Sequence, residues 1–147
     1  MENLYPNGID CIWIAIDPNG ALAAFITAGS APIPTTVINS SLIKLEDIEQ
    51  MIINNFPVMS DAKLKVDLPR PDDFIAISKR GLFVYDWEDT TYQYVLISVP
   101  SHSKNYGDLS SDLKDYIQSL SLKSFNFTIS KYIDVTQDLI CLVPDIN

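Results

Sequence analysis

Basic residues are scarce in this chain of 147 residues, which has ten lysines and arginines against nineteen aspartates and glutamates. The net charge is therefore −9 at neutral pH. A surface with this charge repels the phosphate groups of nucleic acids and of anionic lipids, so we expect neither nucleic acid nor a membrane as a partner. The charge favours a basic protein as the partner, although it would also serve solubility alone.

The chain also lacks an apolar run of the length that a membrane-spanning helix needs, which is at least about 18 residues. Its first residues, MENLYPNGID, contain neither the basic nor the apolar segment of a secretory signal peptide. We therefore expect a cytoplasmic protein. The two cysteines, Cys11 and Cys141, stand in apolar surroundings without a CxxC partner, which favours two buried, reduced thiols over a disulfide.

Motifs of catalysis and of metal binding are missing as well. His102 is the only histidine, and no GxSxG nucleophile motif accompanies it. Three neighbouring acids, Asp86, Glu88 and Asp89, lack the spacing of a calcium-binding loop. The sequence therefore predicts a protein that is not an enzyme and that has no metal site and no cofactor. A pair of carboxylates that meet only in the folded chain, as in glycosidases, stays open.

The length and composition predict one globular domain that spans residues 1–147. A chain of this size can bury about two-thirds of its unfolded surface in a single core. Hydrophobic residues make up 47% of the sequence, which excludes the composition of a disordered protein. No repeat, low-complexity segment or linker divides the chain.

Two strongly apolar segments surround the turn signal Asp-Pro-Asn-Gly near the N-terminus. Proline fits the second position of a type I turn and glycine fits the left-handed position after it, so residues 10–17 and 21–28 should form a tight hairpin. The register that this turn sets would place Trp13 opposite Phe25. Both faces of the hairpin are apolar, which is typical of interior strands or of strands that a partner covers.

Three further segments have the apolar period of helices, at residues 45–56, 71–80 and 109–120. Gly81 should end the second helix, because glycine is common just beyond the last helical turn. We expect Asp108 to be the N-cap of the third helix.

The segment GLFVYDWEDTTYQYVLISVP predicts a second hairpin with its loop at residues 88–91. This loop would place Trp87 opposite Tyr92 and Tyr85 opposite Tyr94, as a ladder of aromatic side chains along one face.

One later strand is predicted within residues 124–133, where Phe125 and Phe127 alternate with polar residues, and another at residues 139–143. Hairpins with short loops cannot join parallel strands. The sequence therefore predicts an α+β fold in which two β-hairpins and a later strand form a mostly antiparallel sheet, with about three helices packed against it.

The sequence predicts that the end of the second hairpin is the surface that contacts a partner protein. It combines acidic and aromatic side chains, which is a composition suited to capturing a basic protein. The predicted contact residues are Asp86, Trp87, Glu88, Asp89 and Tyr92. The alternative is a hairpin whose aromatic side chains face the core and whose acids are only solvated.

Residues 10–34, with the sequence DCIWIAIDPNGALAAFITAGSAPIP, resemble the opening of small bacterial proteins that include immunity proteins of contact-dependent growth inhibition and of other polymorphic toxin systems. The matching positions are Trp13, Asp17, Gly20, Phe25, Thr27, Ala28, Gly29, Pro32, Ile33 and Pro34. The resemblance covers about a sixth of the chain and implies a cytoplasmic protein that binds and occludes a toxin domain. It transfers no toxin-contacting residue.

We therefore expect an immunity protein, or antitoxin-like protein, whose partner is a cognate toxin that is itself basic. The alternative from another class is a non-enzymatic structural or adaptor protein that joins a larger bacterial complex through its first hairpin. A third alternative is an enzyme without a recognisable motif.

Overall fold

A six-stranded mixed sheet lies at the centre of the fold in the computed structural model, which describes residues 4–144. The strands are β1 (Ile12–Ile16), β2 (Leu22–Ile26), β3 (Ile33–Pro34), β4 (Ala62–Leu64), β5 (Phe83–Glu88), β6 (Gln93–Pro100), β7 (Tyr132–Ile133) and β8 (Cys141–Leu142). The α-helices are α1 (Thr35–Ile38), α2 (Ile48–Asn55), α3 (Asp72–Ser78) and α4 (Ser111–Ile117).

The large sheet has the strand order β1-β2-β5-β6-β4, and β7 also pairs with β6. Its pairs are antiparallel except for β2 and β5, which run parallel. The sheet curls into a half-barrel. The predicted α+β class with a mostly antiparallel sheet is confirmed. The parallel pair was not predicted, because it joins the two hairpins across the sheet and no local signal marks it.

The first hairpin has the predicted register. Trp13 lies opposite Phe25, and the backbone N–H of Asp17 donates to the carbonyl of Ala21 at 3.1 Å. Gly20 adopts φ +82°, the left-handed conformation that the turn requires and that glycine adopts without strain. The turn is therefore the bend of a buried hairpin.

The two faces of the sheet are covered by different parts of the chain. On one face, which we call the aromatic face, Trp13 stacks on Phe25 at 4.5 Å between ring centroids, and Phe25 stacks on Tyr85 at 5.2 Å. The other face, which we call the helix face, packs against α2 and α3. The buried hydroxyls of Ser78 in α3 and Ser98 in β6 lie 2.5 Å apart at this contact.

The three predicted helices are present, with one correction. A 3-10 turn over Leu45–Asp47 leads into α2, and Gly81 ends the α3 segment with φ +93°. Ser110 is the N-cap of α4, so the prediction that Asp108 caps this helix is wrong. The carboxylate of Asp108 instead accepts from the backbone N–H of Asn105, in a capping box around the preceding 3-10 helix. Within residues 4–144, no helix has the length and apolar character needed to cross a bilayer.

The later strand is shorter than predicted and is limited to β7, which pairs with β6. The alternation of Phe125 and Phe127 does not extend as a strand, because Asn126 turns the chain. Its side-chain oxygen accepts from the backbone N–H of Thr128 at 3.0 Å, and its carbonyl accepts from Ser130 N–H at 2.7 Å. The predicted strand near the C-terminus is present as β8, and its partner is β3.

Candidate functional site

The second hairpin closes with a loop shifted by one residue from the predicted one. Glu88 pairs with Gln93, so the loop comprises residues 89–92, and Trp87 lies opposite Tyr94. Tyr85 lies opposite Leu96, so the predicted pairings of Trp87 with Tyr92 and of Tyr85 with Tyr94 are both wrong. Tyr92 adopts φ +55°, a left-handed conformation that is uncommon for a large side chain, and this residue completes the turn. We call residues 88–92 the hairpin tip.

Trp87 belongs to the aromatic face and is buried, with 7% of its surface exposed. Its ring N–H donates to the carboxylate of Asp89 at 2.6 Å. The ring of Tyr92 packs edge-on against the Trp87 ring at 4.9 Å and remains 61% exposed. Trp87 therefore supports the tip from below, while Tyr92 is the aromatic side chain that the tip presents to solvent.

The two acids of the hairpin tip each accept two side-chain hydrogen bonds. Glu88 accepts from the hydroxyl of Thr90 at 3.1 Å and from that of Thr91 at 3.0 Å. Asp89 accepts from the Ser30 hydroxyl at 3.0 Å, in addition to the ring N–H of Trp87. Both carboxylates are thus held at the tip by neighbouring side-chain donors.

Asp86 is separated from the buried Trp87 because successive side chains of a strand point to opposite faces of a sheet. It lies on the helix face, where it lines a groove between the sheet, α2 and α3. The five predicted contact residues therefore divide into three tip residues, of which Asp89 and Tyr92 are exposed and Glu88 is half-buried, the buried Trp87 and the groove residue Asp86.

The groove has a volume of about 410 Å³ and combines an apolar floor with acidic walls. The apolar lining consists of Ile9, Cys11, Ile12, Ile26, Ala28, Leu45, Phe74 and Ile77. The charged lining consists of Asp10, Glu46, Glu49, Asp73 and Asp86, together with Arg70. We call this feature the acidic groove.

The acidic groove and the hairpin tip are neighbours. Asp10 lines the groove and accepts from the backbone N–H of Ala28 at 2.9 Å. Ser30, two residues further along, donates to Asp89 of the tip. On the other strand, Asp86 of the groove precedes Glu88 of the tip by two residues. Carboxylates therefore continue from one feature to the other.

Asp86 is the half-buried acid of the groove, whereas the other four lining acids are exposed. Burial and the neighbouring carboxylate of Asp10 raise the pKa of Asp86 to about 6, and the backbone N–H of Trp87 offsets this rise in part. A carboxyl group with this pKa is half protonated near pH 6, close to neutral. Asp86 and its neighbour Asp10 are therefore the carboxylates to which the enzyme alternative applies.

Both cysteines are free thiols, and each is half-buried where the sequence predicted full burial. Burial and the nearby Asp10 and Glu46 raise the pKa of Cys11. Burial, together with Asp134, raises the pKa of Cys141 to about 12. Because the thiolate is the reactive form, neither cysteine has the environment of a catalytic nucleophile.

His102 lies in an exposed loop, where its Nδ1 is 3.4 Å from the Ser101 hydroxyl. Across residues 4–144, no group of three or more His, Cys, Asp and Glu side chains is arranged to hold a metal ion.

Sequence reasoning missed most of the acidic groove. Glu46, Glu49 and Asp73 stand near the starts of their helices, where acids favour the helix dipole whether or not they line a groove. One signal was available in the sequence: each of the two helices has acidic residues near its start and apolar residues along one side. The fold then places both starts over the same end of the sheet.

Comparisons of the chain with models of known protein families, with curated proteins and with solved structures found no match. The functional argument therefore depends on the geometry and charge of the described residues.

Proposed function

We propose that this protein is an immunity protein that binds a cognate, basic bacterial toxin domain in the cytoplasm and neutralises it by occluding it. The observation that carries the proposal is the hairpin tip. The exposed Tyr92 ring packs edge-on against the buried Trp87, and the same tip carries the hydrogen-bonded carboxylates of Glu88 and Asp89. Rigid aromatic area beside negative charge suits the capture of a basic protein surface.

Electrostatics supports the same partner. Toxin domains that act on nucleic acid need basic surfaces to hold phosphate groups. A protein with a net charge of −9 attracts such a surface over a long range and accelerates the encounter. Carboxylates at the tip and in the neighbouring groove would then occupy the positions that phosphates take on the toxin.

The resemblance to immunity proteins, over residues 10–34, supports the proposal at the level of the scaffold. This segment contains β1, β2 and β3, which are buried along most of their length. The resemblance therefore concerns the interior of the fold, and the contact residues are proposed from the tip geometry alone.

The adaptor alternative depended on a first hairpin whose two apolar faces would be covered by a partner. Both faces are covered by other parts of the chain itself, so this reason for the alternative no longer applies. The enzyme alternative retains one candidate, the pair of Asp86 and Asp10. Hydrolysis of a glycoside substrate by the wild type and its loss in Asp86→Asn would favour that alternative.

The test is affinity capture from the source cells, followed by expression of the captured protein with and without this chain. We expect one basic protein, bound in a one-to-one complex. Expressed alone it should arrest growth, and growth should return when this chain is present.

A captured protein that is harmless alone, or one whose toxicity persists beside this chain, would contradict the proposal. Capture of further copies of this chain alone, in a symmetric or filamentous assembly, would favour a structural protein instead.

A further inference from the structure

The acidic groove combines an apolar floor with acidic side chains around it. Its floor contains Ile12 and Ile26 of the sheet and Ile77 of α3, and its volume of about 410 Å³ falls within the range of sites that hold a small ligand or a side chain. Acids that serve only solubility need no such concave, apolar floor between them.

The charge of the groove is unbalanced. Five acids line it against one base, Arg70, which is itself exposed. The acids come from four separate segments: the start of β1, the start of α2, the start of α3 and the end of β5. They therefore surround the apolar floor, and an occupant would meet carboxylates on several sides.

We propose that the acidic groove docks an arginine-bearing, amphipathic segment of the basic partner, an inference that rests on the proposed function for the identity of the partner. The aliphatic stem of the arginine would lie on the apolar floor, and its guanidinium would reach the carboxylates. Neighbouring apolar side chains of the segment would cover the exposed Ile9 at the rim.

Arginine fits the groove better than a compact or fully polar cation. Its guanidinium is weakly hydrated, so it loses less on entering a half-buried site than an ammonium group does. It also presents several donors in one plane and can bond two carboxylates at once. Asp86, on the helix face beside Ile26, is the half-buried carboxylate that gains most from such a partner.

Arg70 is the basic residue of the groove lining, and its guanidinium can compete with an incoming cation for the carboxylates. Its removal should therefore strengthen binding of a basic segment. This expectation is opposite in sign to that for the acids, which makes it a useful check.

The test titrates the full-length, ¹⁵N-labelled chain with a short peptide in which leucine and arginine alternate, while amide signals are followed by NMR. We expect the amides of Ile12, Ile26 and Ile77 to shift together. A peptide of alternating serine and arginine should bind about tenfold more weakly, because it cannot use the apolar floor. Spermidine, a small cation without apolar side chains, should also bind more weakly.

Glu49→Gln combined with Asp73→Asn should weaken binding of the leucine–arginine peptide about tenfold, and Arg70→Gln should strengthen it a few-fold. The matched control is Asp61→Asn combined with Asp115→Asn. It removes the same charge from exposed positions outside the groove and the hairpin tip, and should leave the peptide affinity within about twofold.

Equal weakening by the groove variant and the control, or equal binding of the serine–arginine peptide or spermidine, would overturn the groove proposal. Shifts confined to residues outside the groove would do so as well. The peptide titration does not depend on the toxin. A captured partner that binds the groove variant as tightly as the wild type would reject the groove and leave the immunity function standing.

Discussion

The buried carboxylate of Asp17 accepts a hydrogen bond from the backbone N–H of Phe127 at 3.0 Å, across 110 positions of sequence. Its other oxygen accepts from the backbone N–H groups of Asn19 and Ala21, at 2.9 and 3.0 Å. One side chain therefore fixes the turn of the first hairpin and anchors the loop at Phe127, whose ring packs against Phe25 and Tyr85 of the aromatic face. The aspartate of the Asp-Pro-Asn-Gly turn therefore has a structural role.

Asp17→Ala should lower the free energy of unfolding by about 2–4 kcal/mol, because it leaves buried N–H groups without an acceptor. Asp17→Asn should cost less, since its one remaining oxygen can still serve the turn. Urea unfolding measures both values. The exposed Asp115→Ala is the control and should change stability by less than about 0.5 kcal/mol. A cost for Asp17→Ala no larger than that of the control would exclude the anchoring role.

Trp13→Ala should destabilise the fold by about 3–5 kcal/mol, the usual cost of removing a large buried aromatic side chain. Trp13 is fully buried, stacks on Phe25 and donates its ring N–H to the Tyr94 hydroxyl at 3.2 Å. Trp13→Phe keeps an aromatic ring against Phe25 but loses the hydrogen bond and part of the filled volume, so it should cost less than Trp13→Ala. An unchanged melting temperature for Trp13→Ala, with loss of partner binding, would argue for a contact role instead.

Gly81→Ala should destabilise the protein more than Gly8→Ala, although both glycines have positive φ, at +93° and +72°. A methyl group at Gly81 would lie 2.8 Å from the backbone nitrogen of Lys104, whereas nothing lies within 4 Å of one at Gly8. Gly8→Ala should therefore cost only the conformational penalty of about 1 kcal/mol. Thermal unfolding of the two variants provides the comparison, and equal losses would show that the space around Gly81 can adjust.

Asp86 should make stability depend on pH. Its pKa is raised to about 6 in the folded chain and lies near 3.9 in an unfolded one, so between these values the folded state holds a proton that the unfolded state has lost. Its contribution is therefore most favourable below about pH 4 and decreases as the pH rises through about 6.

Asp86→Asn removes this dependence. The stability of the variant relative to the wild type should rise between pH 4 and pH 7, as measured by urea unfolding in a series of buffers. A constant difference across that range would mean that the pKa of Asp86 is not raised in the folded protein.

The elements that the sequence predicted well are those set by neighbouring residues. The register of Trp13 with Phe25 follows from a turn that contains Pro18 and Gly20, whose backbone preferences are strong. The loop of the second hairpin lies one residue later than predicted, because its turn depends on Tyr92 in a left-handed conformation. No local rule predicts that conformation for tyrosine.

The acidic groove could not be predicted from the sequence, because its carboxylates come from separate segments. Asp10 and Asp86 become neighbours only through the parallel pairing of β2 with β5, which is a long-range contact. The hairpin tip could be identified because its acids and aromatic residues are adjacent in the chain. Which of those aromatic side chains is exposed depended on the packing of Trp87 beneath Tyr92.

The most direct test of the binding account is the association rate of the captured partner, measured across ionic strength for the wild type and for Glu88→Lys combined with Asp89→Lys. The control is Asp61→Lys combined with Asp115→Lys, which makes the same charge change at exposed positions outside the tip and the groove. The account predicts a slower association and a flatter salt dependence for the tip variant than for the control. Asp89→Lys also removes the acceptor of the Trp87 ring N–H and should lower the free energy of unfolding, so the rates are compared at a temperature at which urea unfolding shows both variants to be folded. Equal rates and equal salt slopes for the two variants would remove the hairpin tip from the interface.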